Sequence, residues 1–92
     1  MIKSFKCKES EELFTTGKSR RWNAITNVAT RKLAQLDAAV TLEFLRSPPA
    51  NHLEKLIGDR EGQHSIRINK QWRICFVWSE QGVTDVEIVD YH

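Results

Sequence analysis

The chain has 92 residues, 14 Lys and Arg against 12 Asp and Glu, a formal charge of +2, and 40% hydrophobic residues. That length suits one small domain over residues 1–92 and leaves no room for a second. No apolar run approaches the roughly 20 residues that cross a bilayer, and the start, Met1-Ile2-Lys3-Ser4-Phe5-Lys6, lacks the apolar stretch of a signal peptide, so a cytoplasmic protein without membrane contact is expected.

Residues 2–7 alternate loosely and suit a short first strand. Ser10, followed by Glu11 and Glu12, opens a short helical pattern over residues 10–15, because a capping hydroxyl and acids favour the positive end of a helix; Gly17 stops it. From Asn23 the residues Ile25, Val28, Ala29, Leu33, Leu36 and Val40 recur at intervals of three and four, which predicts a long helix to about residue 39 with one apolar stripe turned to a sheet. One more turn over residues 42–46 ends at Ser47-Pro48-Pro49, where two successive residues lack an amide hydrogen.

Residues 51–62 read as an irregular loop with the polar turn Gly58-Asp59-Arg60-Glu61-Gly62. Three strands then follow at hairpin spacing, over residues 64–69, 72–79 and 83–91, with reversals at Asn69-Lys70-Gln71 and Glu80-Gln81-Gly82. Helices followed by an antiparallel meander make an α+β domain, with the long helix on one face of the sheet. Trp72 and Trp78 alternate with the strand's other residues so as to face that helix. Cys75 lies in an apolar strand and Cys7 far from it in sequence, so no disulfide is expected; the Cys and His spacings match no metal motif, and no cofactor is implied.

The central strand, residues 72–78, is apolar except for Arg73. A guanidinium withdrawn from water there requires an anion. With a two-residue turn at Gln81-Gly82, Val77 pairs with Val86, Cys75 with Ile88 and Arg73 with Asp90; a longer loop sets Arg73 opposite Tyr91 instead. Both registers bring Arg73 beside the terminal Asp90-Tyr91-His92, an acid, a phenol and an imidazole at one strand end. Two readings stand: a structural Arg73–Asp90 ion pair, or a phosphate site in which Arg73 stabilises charge while Asp90 or His92 exchanges protons. A ribose 2′-hydroxyl already adjoins its phosphate, so such a site needs no metal to cleave RNA.

Gly58-Asp59-Arg60-Glu61-Gly62, Ser65 two positions before Arg67, the pair Trp72-Arg73, the terminal Asp90-Tyr91-His92 and the opening residues 1–6 together resemble the HigB toxins of the RelE superfamily, along essentially the whole chain. The resemblance implies a RelE-like, microbial-ribonuclease-type fold. It also implies a type II toxin that cuts messenger RNA in the A site of the 30S subunit of the 70S ribosome, by metal-independent acid–base chemistry. A HigA-like helix-turn-helix antitoxin is the implied partner, and operator DNA is bound only through it. Carried over by position, Arg73 contacts the scissile phosphate, His92 acts as general acid or base, Asp90 is its partner or the alternate base, and Tyr91 orients a nucleotide.

The chain departs from the family where many relatives have His-Pro-Leu-Lys before the glycine; here Glu54-Lys55-Leu56-Ile57 precedes Gly58. Glu54 is therefore the candidate base in place of the histidine, while His52 and Lys55 keep the family's spacing two positions earlier. Arg60, Arg67 and Lys70, with Lys55 and His52, are expected to meet RNA phosphates. The competing reading is a catalytically inactive RNA- or ribosome-binding module of the same fold.

Overall fold

A computed structural model describes residues 1–47 and 49–90; Tyr91 and His92, two of the expected site residues, lie outside the described residues. Three helices, α1 (Lys8–Thr16), α2 (Thr26–Ala38) and α3 (Leu42–Arg46), precede four strands, β1 (Glu54–Lys55), β2 (His64–Arg67), β3 (Trp72–Ser79) and β4 (Gly82–Asp90). The strands form one antiparallel sheet in the order β1-β2-β3-β4. This is the expected α+β arrangement, with the two-residue strand β1 added at the edge of the meander, inside the segment read as a loop.

The predicted first strand exists only as two parallel bridges, Ile2 to Val83 and Phe5 to Val86, by which residues 1–6 run along β4. Helix α1 starts two residues before the expected Ser10. Cys7 supplies the cap, its sulfur accepting from the Ser10 amide at 3.4 Å, with Glu9 and Glu11 in the first turn. Ser10 is instead fully buried, and its hydroxyl accepts from the Ile88 amide at 3.1 Å, tying α1 to β4. The helix ends where Gly17 adopts φ +73° and its amide reaches the Leu13 carbonyl.

A short 3-10 turn, Asn23–Ile25, leads into α2. Its stripe is buried at Ala29, Leu33 and Leu36, but Val40 is 88% exposed. The helix stops at Ala38 and Ala39 is extended, so the three-and-four period ends before Val40 and Ala39 is buried in its stead. Leu13, Trp22 and Leu45 join this stripe in a core completed by Ile66, Ile74, Phe76, Val83, Val86 and Ile88. Trp72 and Trp78 pack against it as expected, Trp72 meeting the Trp22 ring edge-on at 6.1 Å. Burying this set drives the packing of helices on sheet.

Strand β2 ends at Arg67 rather than residue 69, because the Ile68 and Asn69 amides both turn to the Trp72 carbonyl and the Asn69 side chain accepts from the Gln71 and Trp72 amides. At the other hairpin Ser79 pairs with Gly82, so the turn residues are Glu80 and Gln81. Gly82 has φ +142°, and a β-carbon there would lie 2.8 Å from the Met1 carbonyl oxygen, a place only glycine fits. Farther along, β4 carries an extra residue opposite β3: the register shifts between Cys75 and Val77, and Asp85 takes φ +54° with its amide on the Ser4 hydroxyl at 2.9 Å.

These two features correct the predicted register. The earlier turn displaces the pairing by two positions and the bulge restores one. Arg73 therefore faces Val89, not Asp90 or Tyr91, and Asp90 faces Trp72. Paired residues share a face of the sheet, so Asp90 belongs to the row of Trp72 and Arg73 to the opposite row.

Candidate functional site

On the sheet face turned away from the core, Glu54, Ser65, Cys75 and Glu87 are successive partners across all four strands, and Arg67, Arg73 and Val89 form the adjacent row. Arg73 is 6% exposed. Its Nε donates to Ser65 Oγ at 2.7 Å, and Nη2 donates to the His52 carbonyl at 2.5 Å and more distantly to the Ser65 carbonyl at 3.4 Å. Nη1 lies 3.5 Å from a Glu54 carboxylate oxygen. The withdrawn guanidinium is thus held by oxygens from three chain segments, the charge-assisted pattern that makes a buried arginine tolerable.

Each segment reaches Arg73 for a local reason. Ser65 is brought by the β2–β3 pairing, and Glu54 by the β1–β2 pairing that adds the edge strand. His52 contributes its main-chain oxygen, which it points inward by adopting φ +45°, while its side chain is on an exposed residue. Behind it, fully buried Asn51 anchors the loop, donating to the Leu45 carbonyl at 3.0 Å and to Gln35 Oε1 at 3.3 Å, and accepting from Lys32 Nζ. Burial, and then the neighbouring Arg31, push the Lys32 ammonium below its ordinary pKa.

Arg67 lies directly across from Arg73, with its Nε donating to the Asn69 carbonyl at 3.1 Å. Like charges set opposite one another in a ladder repel, and an anion bound between them relieves the repulsion. Arg60 reaches the same face from the loop after β1, its guanidinium 2.7 Å from Glu87 Oε1 and 3.2 Å from Gln63 Oε1. Cys75 is fully buried in the same row, and its burial pushes the thiol pKa up, so the sulfur stays protonated and is a poor nucleophile near neutral pH.

Other expected members do not converge there. Lys55 pairs with His64, which sets it on the face opposite to Glu54. Lys70 is exposed in the β2–β3 turn. Asp90 is exposed and accepts from Gln71 Nε2 at 3.1 Å. The reading of the residues missed Glu87 and Asn51. Glu87 had a signal, an acid between Val86 and Ile88 in an alternating strand; buried Asn51 had none.

A cavity of about 280 Å³ opens beside Arg73's carboxylate partner, lined by Glu54, Lys55, Leu56, Ile57 and Arg60. A larger one of about 590 Å³ lies between α1 and α2; it includes Lys18 and Arg20 and is lined by none of the residues of this row. Among the described residues no three His, Cys, Asp or Glu side chains gather as a metal site would require, and no helix is long and apolar enough to cross a membrane.

Residues 3–92 match the profile of the HigB-like toxins, described as RelE-like toxins of the type II toxin–antitoxin system HigB. The chain belongs to that family. It is 40% identical over 94 residues to Toxin HigB-1 of Vibrio cholerae serotype O1, covering 100% of this chain and 98% of that protein. An uncharacterised protein of Haemophilus influenzae is 41% identical over 59 residues, 64% of this chain and 58% of its own. In structure the chain resembles the YoeB–YefM complex from Staphylococcus aureus, with a TM-score of 0.61 at 17% identity over 100% of this chain and 98% of the other. A heterotetrameric YoeB–YefM toxin–antitoxin complex from the same organism gives a TM-score of 0.58, again at 17% identity. At that identity the likeness establishes the fold, which is RelE-like, as the family resemblance implied. The HigB-like chain is thus a RelE-like toxin of the type II toxin–antitoxin kind.

Proposed function

We propose that this toxin is a ribosome-dependent endoribonuclease that cuts messenger RNA without a metal ion. The observation that carries this reading is the cross-strand pair Arg67 and Arg73, one of them buried, on the face of the sheet turned away from the core. Two opposed guanidiniums favour an anion there, and their planar forks suit phosphate oxygens. The messenger phosphate sits on Arg73, which spreads the charge that builds up as the 2′-oxygen attacks phosphorus. A base takes the 2′-hydroxyl proton, the bond from phosphorus to the 5′-oxygen breaks, and an acid protonates that leaving oxygen, giving a cyclic phosphate and a free 5′-hydroxyl.

Glu54, 3.5 Å from Arg73, is the base in this scheme, and His92 the acid. Tyr91 orients the flanking nucleotide. Asp90, paired with Trp72 and held by Gln71, places the strand end on which those two residues follow. Arg60 and Arg67 meet the neighbouring phosphates, with Lys55, Lys70 and the His52 side chain in outer contact. So few groups leave alignment of the message to the ribosome. A HigA-like antitoxin neutralises the toxin, and the site of action is the cytoplasm.

The test is inducible expression in bacteria with mapping of message 5′ ends on ribosomes. Arg73→Lys keeps the charge but loses the fork; cleavage is expected to fall at least about a hundredfold, as when a preorganised donor to developing charge is removed. Growth arrest without cut messages supports the silent binding module instead.

A further inference from the structure

Helix α2 carries a buried cation that the scheme above leaves unused. Lys32 is 7% exposed, and its ammonium donates to Asn51 Oδ1. Among the described residues no carboxylate stands within ion-pair distance of it. An ammonium withdrawn from water without a counter-charge is costly, and an apolar residue of similar length would fill the same space at less cost in stability. Packing alone therefore does not explain a lysine here.

Its partner supplies the reason. A lysine can only donate and the Leu45 carbonyl can only accept, so the Asn51 amide between them has one orientation. Oδ1 faces Lys32, while Nδ2 donates to the Leu45 carbonyl at 3.0 Å and to Gln35 Oε1 at 3.3 Å. The next residue is held in a demanding conformation. His52 has φ +45°, a left-handed backbone that side-chain-bearing residues rarely adopt and that persists where the surroundings hold it. Its amide donates to the Pro49 carbonyl at 3.2 Å, and its own carbonyl accepts from Arg73 Nη2. Two residues further on, a Glu54 carboxylate oxygen lies 3.5 Å from Arg73 Nη1. The saturated Asn51 amide thus stands immediately before both oxygens that this segment brings to Arg73.

We propose that Lys32 is a positioning residue for cleavage: by fixing the Asn51 amide it holds the left-handed turn at His52, and so sets the His52 carbonyl and Glu54 against Arg73. The proposal rests on the nuclease reading and adds to it a residue of α2 that acts through this turn.

Lys32→Met tests it, since the variant keeps the length of the side chain and removes the donor, leaving the Asn51 amide free to turn. An apolar chain in place of a buried cation is compatible with folding. With message cleavage on ribosomes assayed well below the melting temperature, kcat is expected to fall roughly fivefold to twentyfold with KM little changed, because misplaced reacting groups slow the chemical step. Asn51→Ala should lose at least as much, and the double variant no more than Asn51→Ala, because both changes act on one turn. Lys32→Met carries the test should Asn51→Ala fail to fold. A second readout is independent of cleavage: the Arg73 Nε–H resonance in a nitrogen-15 spectrum of the purified toxin should shift or broaden in Lys32→Met.

An unchanged kcat in Lys32→Met, whatever its melting temperature, assigns Lys32 to stability alone and overturns the proposal. So do a loss confined to KM, a wild-type Arg73 resonance in that variant, or additive losses in the double variant. A wild-type toxin that cuts no message is a different failure, of the nuclease reading, and the Arg73 resonance then still decides whether Lys32 acts on that guanidinium.

Discussion

Ser65→Ala tests whether Arg73 is held by its neighbours or only passes near them. Ser65 is fully buried, and its hydroxyl accepts from Arg73 Nε at 2.7 Å, a short contact to a charged donor. The substitution deletes that acceptor and leaves the Ser65 and His52 carbonyls in place for Nη2. One buried N–H of a cation is thereby stranded, while the rest of the guanidinium keeps its partners. Hydrogen bonds to charged groups contribute about 1.5–3 kcal/mol, and the small space left by one oxygen lets the side chain relax, so a loss of about 2 kcal/mol is expected. For a domain of this size that lowers the melting temperature by roughly 8–16 °C.

Thermal unfolding followed by circular dichroism measures this, and message cleavage on ribosomes, assayed well below both melting temperatures, measures the consequence for the site. A guanidinium free to swing at Nε places its charge less well, and cleavage should fall about tenfold in kcat with KM less affected. An unchanged melting temperature would refute the stabilising bond. A lowered melting temperature with full activity would refute the claim that Ser65 aims Arg73.

Gly82→Ala is expected to destabilise by about 2 kcal/mol or more, since the new β-carbon meets the Met1 carbonyl at 2.8 Å in a backbone conformation that alanine rarely adopts; urea unfolding reads the loss, and wild-type stability would show that residues 1–6 do not lie against β4. The His64 pKa is lowered by burial first and then by Lys55 and Arg46. The folded state therefore resists protonating His64. As pH falls below the unfolded value near 6.5 the unfolded chain binds the extra proton and stability declines, levelling off once pH passes below the folded value. His64→Phe, which preserves a ring stacked on Phe76, should flatten that acid-side decline in melting temperature; an unchanged slope below about pH 6.5 would assign it to other groups.

The candidate site was half legible. Arg73 declared itself as a single charge in an apolar strand, and period-two alternation put Trp72 and Trp78 on the core side. Its partner was misread, because the register depended on where a hairpin turned. Glu80-Gln81-Gly82 offers two placements of a two-residue turn, and local chemistry alone did not choose between them. The choice follows from contacts with residues 1–6: Gly82 packs against Met1 and Lys3, and the Asp85 bulge is bonded to Ser4. In the same way Glu54 meets Arg73 only because a two-residue edge strand forms beside β2, and nothing in Glu54-Lys55 alone marks it as a strand.

By itself the sequence determined the order and type of the main elements, through apolar spacing, the Gly17 stop and the prolines, all of which act over a few neighbouring residues. It also determined that a cation would be buried in the central strand, since burial follows from the pattern around it. Tertiary structure decided which oxygens surround that cation and which face carries Asp90. Those outcomes depend on pairing and packing between distant segments, where a one-residue shift turns a side chain to the opposite face of the sheet.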